Sequence, residues 1–220
     1  PPGEALADSW PADTRLRYRL EGRFRGEVTG HARVLWQRAG TAYQVRVEIH
    51  LPLLAVVSMT SQGEVGATLQ PRVYEEVTDT VRTRRRGLQL GERTLVFENG
   101  GTAPRPEGVQ DTASQFVELA HRFSSGREAL AVGRPVQLWM ARPNQLALWT
   151  YDVVGRGPLA TGLGTVEAFH LMPRPIANPR GTITAQMWFA PALQYLPVRI
   201  KVTMGEEAEL DLVVESIEQK

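Results

Sequence analysis

The sequence predicts an all-β fold: a large, curved antiparallel sheet of about 12–14 strands, an open barrel or β-spiral, with one main amphipathic helix at about 111–123. Three observations carry this expectation. Apolar and charged residues alternate with a period of two through nearly all of residues 14–51. The breaks between alternating runs are short and contain glycine. Only one stretch changes to helical spacing.

Residues 1–13, with Pro1, Pro2, Gly3 and Pro11, show little periodicity and read as an N-terminal tail or linker lying against the domain, pinned by Trp10. The first strand then places Leu16, Tyr18, Leu20, Gly22 and Phe24 on one face. Arg15, Arg17, Arg19, Glu21, Arg23 and Arg25 fall on the other. Val28 to Trp36 and Tyr43 to Leu51 repeat the pattern. Arg25-Gly26-Glu27 and Ala39-Gly40-Thr41 have the length and glycine of tight hairpins, so these strands are expected to be adjacent and antiparallel. Further runs follow at Val57–Val65, Val73–Thr80, Val81–Leu90 and Arg93–Glu98, and Asn99–Gly108 reads as an exposed connection. Thr112 with Gln115 matches a capping box, and Ala113, Phe116, Val117, Ala120 and Phe123 share one side of a helix stopped by Ser124-Ser125-Gly126. Such a helix is expected to cover an opening or a bare sheet edge. The second half returns to strands at Val136–Ala141, Leu146–Val154, Gly164–Met172, Thr182–Phe189, Pro197–Met204 and Glu209–Ile217. Gly155-Arg156-Gly157-Pro158, Asn178-Pro179-Arg180-Gly181 and Gly205-Glu206-Glu207 are expected turns. Composition does not shift between the halves, so residues 14–220 read as a single β-rich domain.

A hydrophobic fraction of 42% and a charged fraction of 22% are ordinary globular usage. The formal net charge of +1 argues against bulk capture of nucleic acid. Cysteine is absent, which removes disulfides, thiol nucleophiles and cysteine-bound metals. No apolar run approaches the ~20 residues of a membrane helix; the longest, Leu51 to Val57, is interrupted by Pro52. The start at Pro1-Pro2-Gly3 without methionine suggests a signal or anchor segment upstream.

Several stretches, in order, carry a resemblance. Ser61-Gln62-Gly63 precedes Leu69-Gln70-Pro71, and Asp111-Thr112-Ala113-Ser114 opens the helix. Thr161-Gly162-Leu163-Gly164-Thr165-Val166 starts a strand, and Met187-Trp188-Phe189-Ala190-Pro191 leads to Tyr195-Leu196-Pro197-Val198-Arg199-Ile200. Over roughly residues 15–217 the chain resembles the bacterial envelope family catalogued as domain of unknown function 3108. The resemblance implies an exported, periplasmic protein. It also implies a long, strongly curved antiparallel sheet with a helix beside it, similar to periplasmic β-spiral envelope-integrity proteins and, more distantly, to lipoprotein-carrier half-barrels. It supplies no catalytic residues.

Candidate sites fall into four groups. Trp36, Tyr43, Trp139, Trp149, Phe169, Trp188 and Tyr195 could line a cavity for an acyl chain inside a wide sheet, against the plainer reading of a filled core. The row Arg15, Arg17, Arg19, Arg23 and Arg25, with Arg82, Arg84, Arg85 and Arg86, could bind phosphates or a partner. The plainer reading is a solvated face paired to Glu48, Glu64, Glu75 and Glu76. His31, His50, His121 and His170 share no metal-ligand spacing, although His31 and His50 could meet across adjacent strands. Asp111, Ser114 and His121 have triad residue types, but seven residues between Ser114 and His121 is ~10 Å along a helix, too far for proton transfer.

These readings lead us to expect a non-catalytic periplasmic protein without cofactor or metal that binds a lipid-like or other apolar ligand inside its sheet. The alternative is an envelope scaffold using the arginine-rich face or a sheet edge. A hydrolase assembled from dispersed residues comes third. The partners expected are a lipid-like small molecule or an envelope protein; nucleic acid is not, and neither is a membrane-spanning segment.

Overall fold

The computed structural model describes residues 7–177 and 182–220. The strands of the first half are β1 (Thr14–Phe24), β2 (Glu27–Ala39), β3 (Ala42–Leu51), β4 (Ala55–Val65), β5 (Leu69–Asp79), β6 (Thr83–Leu90), β7 (Thr94–Val96) and β8 (Thr102–Pro104). Helix α1 (Ser114–Ser124) follows. The second half contributes β9 (Pro135–Arg142), β10 (Gln145–Thr161), β11 (Gly164–Pro173), β12 (Ile183–Ala190), β13 (Leu196–Met204) and β14 (Ala208–Gln219). They form one 14-stranded sheet in the order β8-β7-β6-β5-β4-β3-β2-β1-β14-β13-β12-β11-β10-β9. Each half is thus a meander, and the two are joined where β1 pairs antiparallel with β14, from Thr14 opposite Gln219 to Phe24 opposite Ala208.

The period-two reading of the first strands holds residue by residue. Leu16, Tyr18, Leu20, Val34, Val45 and Val47 are buried, while Arg15, Arg17, Arg19 and Arg23 face solvent. Gly26 and Gly40 have φ of +109° and +60°, the left-handed backbone that a two-residue hairpin requires. A sheet of this many strands curls, because each strand is rotated against the next. Here the curl brings the two ends together without closing them. Gln110 N–H donates to Trp139 O at 2.9 Å, Ala141 N–H to Gln110 O at 2.8 Å, and Glu98 N–H to Pro143 O at 2.9 Å. The stretch between β7 and α1 therefore bridges to β9, and neither edge strand is left as a long bare template.

Two expectations change. Asn99–Gly108 contains the short strand β8, recruited by β7. Gly155 to Pro158 is not a turn, because β10 bulges at Val153/Gly155 and runs on to Thr161, paired with β11 as far as Gly164. Pro158 is tolerated since this distal arm pairs on one side only, where a missing N–H costs no ladder bond. The expected turn at 178–181 lies outside the described residues.

The β3–β4 connection is unusual. Leu54 N–H donates to Leu51 O at 3.0 Å, Pro52 takes the second position and Leu53 the third, at φ +66°. That is the pattern of a type II turn, whose third position favours glycine or asparagine. Leu53 is fully exposed and gains no packing in return. The substitution Leu53→Asn is expected to raise stability by about 0.5–1 kcal/mol through relief of this backbone strain, read as a higher urea midpoint.

Candidate functional site

The concave side of the sheet is occupied by α1. Between Ser114 and Phe123 only Arg122 is not buried, and Ser114, Gln115, Glu118 and Leu119 have no exposed surface. The expectation that the helix covers an opening or an edge is corrected: it lies inside. An amphipathic helix can sink its polar face only if every polar group finds a partner, and here β10, the turn at the helix entry, the loop after the helix and the N-terminal segment supply them.

Asp111 anchors the entry. Its Oδ1 accepts the N–H of Ala113 at 3.0 Å and of Ser114 at 2.7 Å, while Ser114 Oγ accepts the N–H of Asp111 at 2.9 Å. The capping box is therefore Asp111 with Ser114, one residue earlier than the Thr112/Gln115 pair. Gln115 Nε2 instead donates to Thr112 O at 3.0 Å, and its Oε1 accepts from Tyr151 OH at 2.5 Å. Ser61 Oγ on β4 donates to Asp111 Oδ2 at 2.5 Å and contacts Tyr43 OH at 2.9 Å. Burial pushes Asp111 up to about 6 even though Ser61 Oγ and the Ala113 and Ser114 N–H groups donate to its carboxylate. Glu118 is likewise pushed up by burial, opposed by Arg127 at 3.1 Å.

The far end of α1 is held by the N-terminal segment. Trp10 stacks on His121 with ring centroids 3.6 Å apart, and its Nε1 donates to Gly66 O at 2.9 Å. Trp36 Nε1 donates to Pro11 O at 2.9 Å. Ser9 Oγ lies 3.2 Å from His121 Nε2, a serine–histidine contact invisible in the sequence because 112 residues separate the two. Arg127 Nη2 sits 2.9 Å from His121 Nδ1. A guanidinium only donates, so Nδ1 accepts and the ring proton resides on Nε2, directed at Ser9. In this tautomer His121 has no lone pair with which to take the Ser9 proton. Burial and Arg127 lower His121 to about 4, keeping it neutral.

The seven aromatics proposed as cavity lining do not share one space. Trp36 and Tyr43 stack at 5.7 Å and, with Trp149, face inward. Phe169 is buried beneath the Arg156 guanidinium, 5.1 Å above its ring. Trp188 is half-buried on the outer face between His170 at 4.0 Å and Arg199 at 4.4 Å. Tyr195, at φ +56°, is half-buried with its ring 6.4 Å from Phe123. Trp139 points outward and is 38% exposed, because Val136, Leu138 and Met140 take the inward positions of β9. Where the helix meets the wall, among Leu16, Val34, Trp36, Phe116 and Val117, the void is only about 10 Å³, no more than one water. The roomier concavity, about 660 Å³, is an open polar groove on the outer face between Glu21, Glu27, Lys201, Glu209 and Asp211.

The arginine row is solvated and loosely paired. Arg15 lies 4.0 Å from Glu218, and Arg19 is 3.8 Å from Glu21. Arg23 reaches Glu206 O at 3.5 Å, and Arg25 sits 5.3 Å over Phe24. Of the glutamates expected to neutralise this face, Glu48 is gripped by Arg33 and by Arg46 Nε at 2.6 Å. Burial opposes these bonds, yet they hold it down to about 2. Glu64, Glu75 and Glu76 pair with Arg72, Arg85 and Arg86 at 3.9, 3.0 and 3.5 Å. His31 and His50 do meet, stacked at 4.7 Å. No group of three His, Cys, Asp or Glu able to hold a metal occurs among the described residues. Among those residues no helix is long and apolar enough to cross a membrane.

Fold and interior together define a barrel-like all-β protein plugged by its own helix. The chain belongs to the family described as protein of unknown function (DUF3108), whose model matches residues 15–213. Among solved structures it is similar to a beta-barrel-like protein of domain of unknown function DUF1849 from Brucella abortus. That likeness has a TM-score of 0.53 at 10% identity and covers 96% of this chain and 99% of that one. A DUF1089 family protein from Pseudomonas aeruginosa matches with a TM-score of 0.39 at 10% identity, over 80% of this chain and 90% of that one. No curated protein matches.

Proposed function

We propose that this is a non-catalytic, exported cell-envelope protein that acts as a scaffold, binding an acidic protein surface along Arg15, Arg17, Arg19, Arg23 and Arg25. The observation that carries the reading is the filled interior. An apolar ligand needs a site of a few hundred Å³, and the void beside α1 is about 10 Å³. Recognition then falls to the outer surface. The sheet edges are poor candidates: β8 has three residues and ends in Pro104, while β9 begins with Pro135 and gives its Gln137 and Trp139 carbonyls to Arg122 and Gln110. The arginine row is exposed, interrupted only by Glu21, and weakly neutralised, and guanidinium forks suit carboxylates. Export is supported by the envelope family that it resembles.

Affinity purification from an envelope fraction tests the reading. The variant Arg15→Glu/Arg17→Glu/Arg19→Glu is expected to lose the partner that wild type retains, with its unfolding midpoint unchanged within about 0.5 kcal/mol, since exposed positions carry little stability. Capture indifferent to the substitutions would sink the scaffold. So would a stoichiometric lipid in organic extracts of natively purified protein, which would restore the apolar-ligand reading.

A further inference from the structure

One rim of the barrel carries apolar side chains that the fold does not use. The β3–β4 tip presents Leu53, 106% exposed, and Leu54, 42% exposed; the β5–β6 tip presents Val81, 98% exposed. Isolated exposed hydrophobics are common, but these share an end of the sheet. Val56 pairs with Asp79, so the two tips stand level, and their neighbouring hairpins place them roughly 10 Å apart, two strand spacings. Leu53 is also held at φ +66°, where a bulky side chain is disfavoured and neither packing nor backbone preference accounts for leucine. Beside the tips, the side chains of Arg82 and Arg84 are exposed and enter no ion pair among the described residues. Of the acidic residues near this rim, Asp79 ends β5 beside the Val81 tip, where its Oδ1 accepts from Thr83 Oγ1 at 3.0 Å, and Glu206 and Glu207 lie further round, beyond β3, β2, β1 and β14.

We propose that this sector of the rim docks on an anionic lipid surface, with Leu53, Leu54 and Val81 entering the interface and Arg82 and Arg84 holding lipid phosphates. Exposed apolar tips with unpaired arginines beside them match the two layers of such a surface, acyl boundary below and negatively charged headgroups above. The surface differs from the arginine row, and the proposal needs from the scaffold reading only that the chain meets a membrane.

Co-sedimentation of residues 1–220 with vesicles of phosphatidylglycerol and phosphatidylcholine, against phosphatidylcholine alone, tests it. Wild type is expected to bind the first and not the second. Leu53→Asp/Val81→Asp is expected to abolish binding, and Arg82→Glu/Arg84→Glu to weaken it roughly 25-fold or more, at about fivefold per arginine lost. Arg15→Glu/Arg17→Glu carries the same change in net charge and is expected to retain binding, which separates this surface from the scaffold face. Unfolding midpoints no lower than that of wild type show that the tip variants fold. Wild type that ignores anionic vesicles, or tip variants that bind like wild type, overturns the proposal. A protein partner lost in the tip variants without vesicle binding does so too.

Discussion

Replacing Trp36 with alanine is expected to destabilise the protein by about 3–5 kcal/mol and to lower Tm by about 10 °C. Trp36 is 1% exposed and stands at the junction of three parts of the molecule. It stacks on Tyr43, approaches Trp10 with ring centroids 5.8 Å apart and donates to Pro11 O. Its removal takes away buried aromatic surface and leaves the Pro11 carbonyl without its donor. The new space would merge with the void already present beside Phe116 and Val117. Cavities that cannot collapse cost most, and this one is walled by sheet on one side and helix on the other. The new cavity is lined by apolar side chains, so a small aromatic such as benzene should recover part of the loss. A cost under about 1 kcal/mol would mean that the helix does not pack against this wall.

The second large effect is a pH dependence. Asp111 in the folded protein is raised by burial to about 6 from an ordinary value of 3.8. A raised carboxyl binds its proton more tightly when folded, so its contribution is fully present below pH 3.8 and is lost as pH climbs through about 6. A shift of about two units corresponds to about 3 kcal/mol. Asp111→Asn keeps an acceptor for the Ala113 and Ser114 amides but cannot ionise. The stability difference, variant minus wild type, is therefore expected to rise by about 2 kcal/mol between pH 4 and pH 7 in urea titrations, since at pH 4 part of the contribution is already lost. His121 acts with the opposite sign. Its folded value near 4 lies below the ordinary 6.5, so its contribution is present above pH 6.5 and is lost as pH falls toward 4. The two slopes oppose each other in wild type, and Asp111→Asn leaves that of His121 standing. A difference that stays flat from pH 4 to pH 7 would show that the hydrogen bonds from Ser61, Ala113 and Ser114 fully offset the burial of the carboxylate.

Much of this architecture was legible in the residues. Leu16, Tyr18 and Leu20 alternating with Arg15, Arg17 and Arg19 state which face is wet, because strand geometry makes that a matter of parity. The tight hairpins at Gly26 and Gly40 were equally plain. The candidate site was much less so. Trp139 and Trp188 read as lining residues since they are aromatic, yet parity within their own strands turns them outward. Ser9 and His121 could not be paired by spacing, as the contact exists only once the N-terminal segment folds over the end of the helix. At Gly155–Pro158 the local turn signal was outweighed by pairing with β11, which holds the chain extended through both glycines.

The sequence by itself determined the sheet: the strand periods, their inward set, the hairpin joints and the arginine row outside. These are properties of neighbours along the chain, where a two-residue repeat leaves one choice of face. Only the tertiary structure decided that β1 pairs with β14 and that α1 goes inside. The first joins residues about 200 apart. The second depends on donors lent by Ser61, Tyr151 and Arg127, without which burying Asp111, Gln115 and Glu118 would cost more than the apolar side of the helix returns.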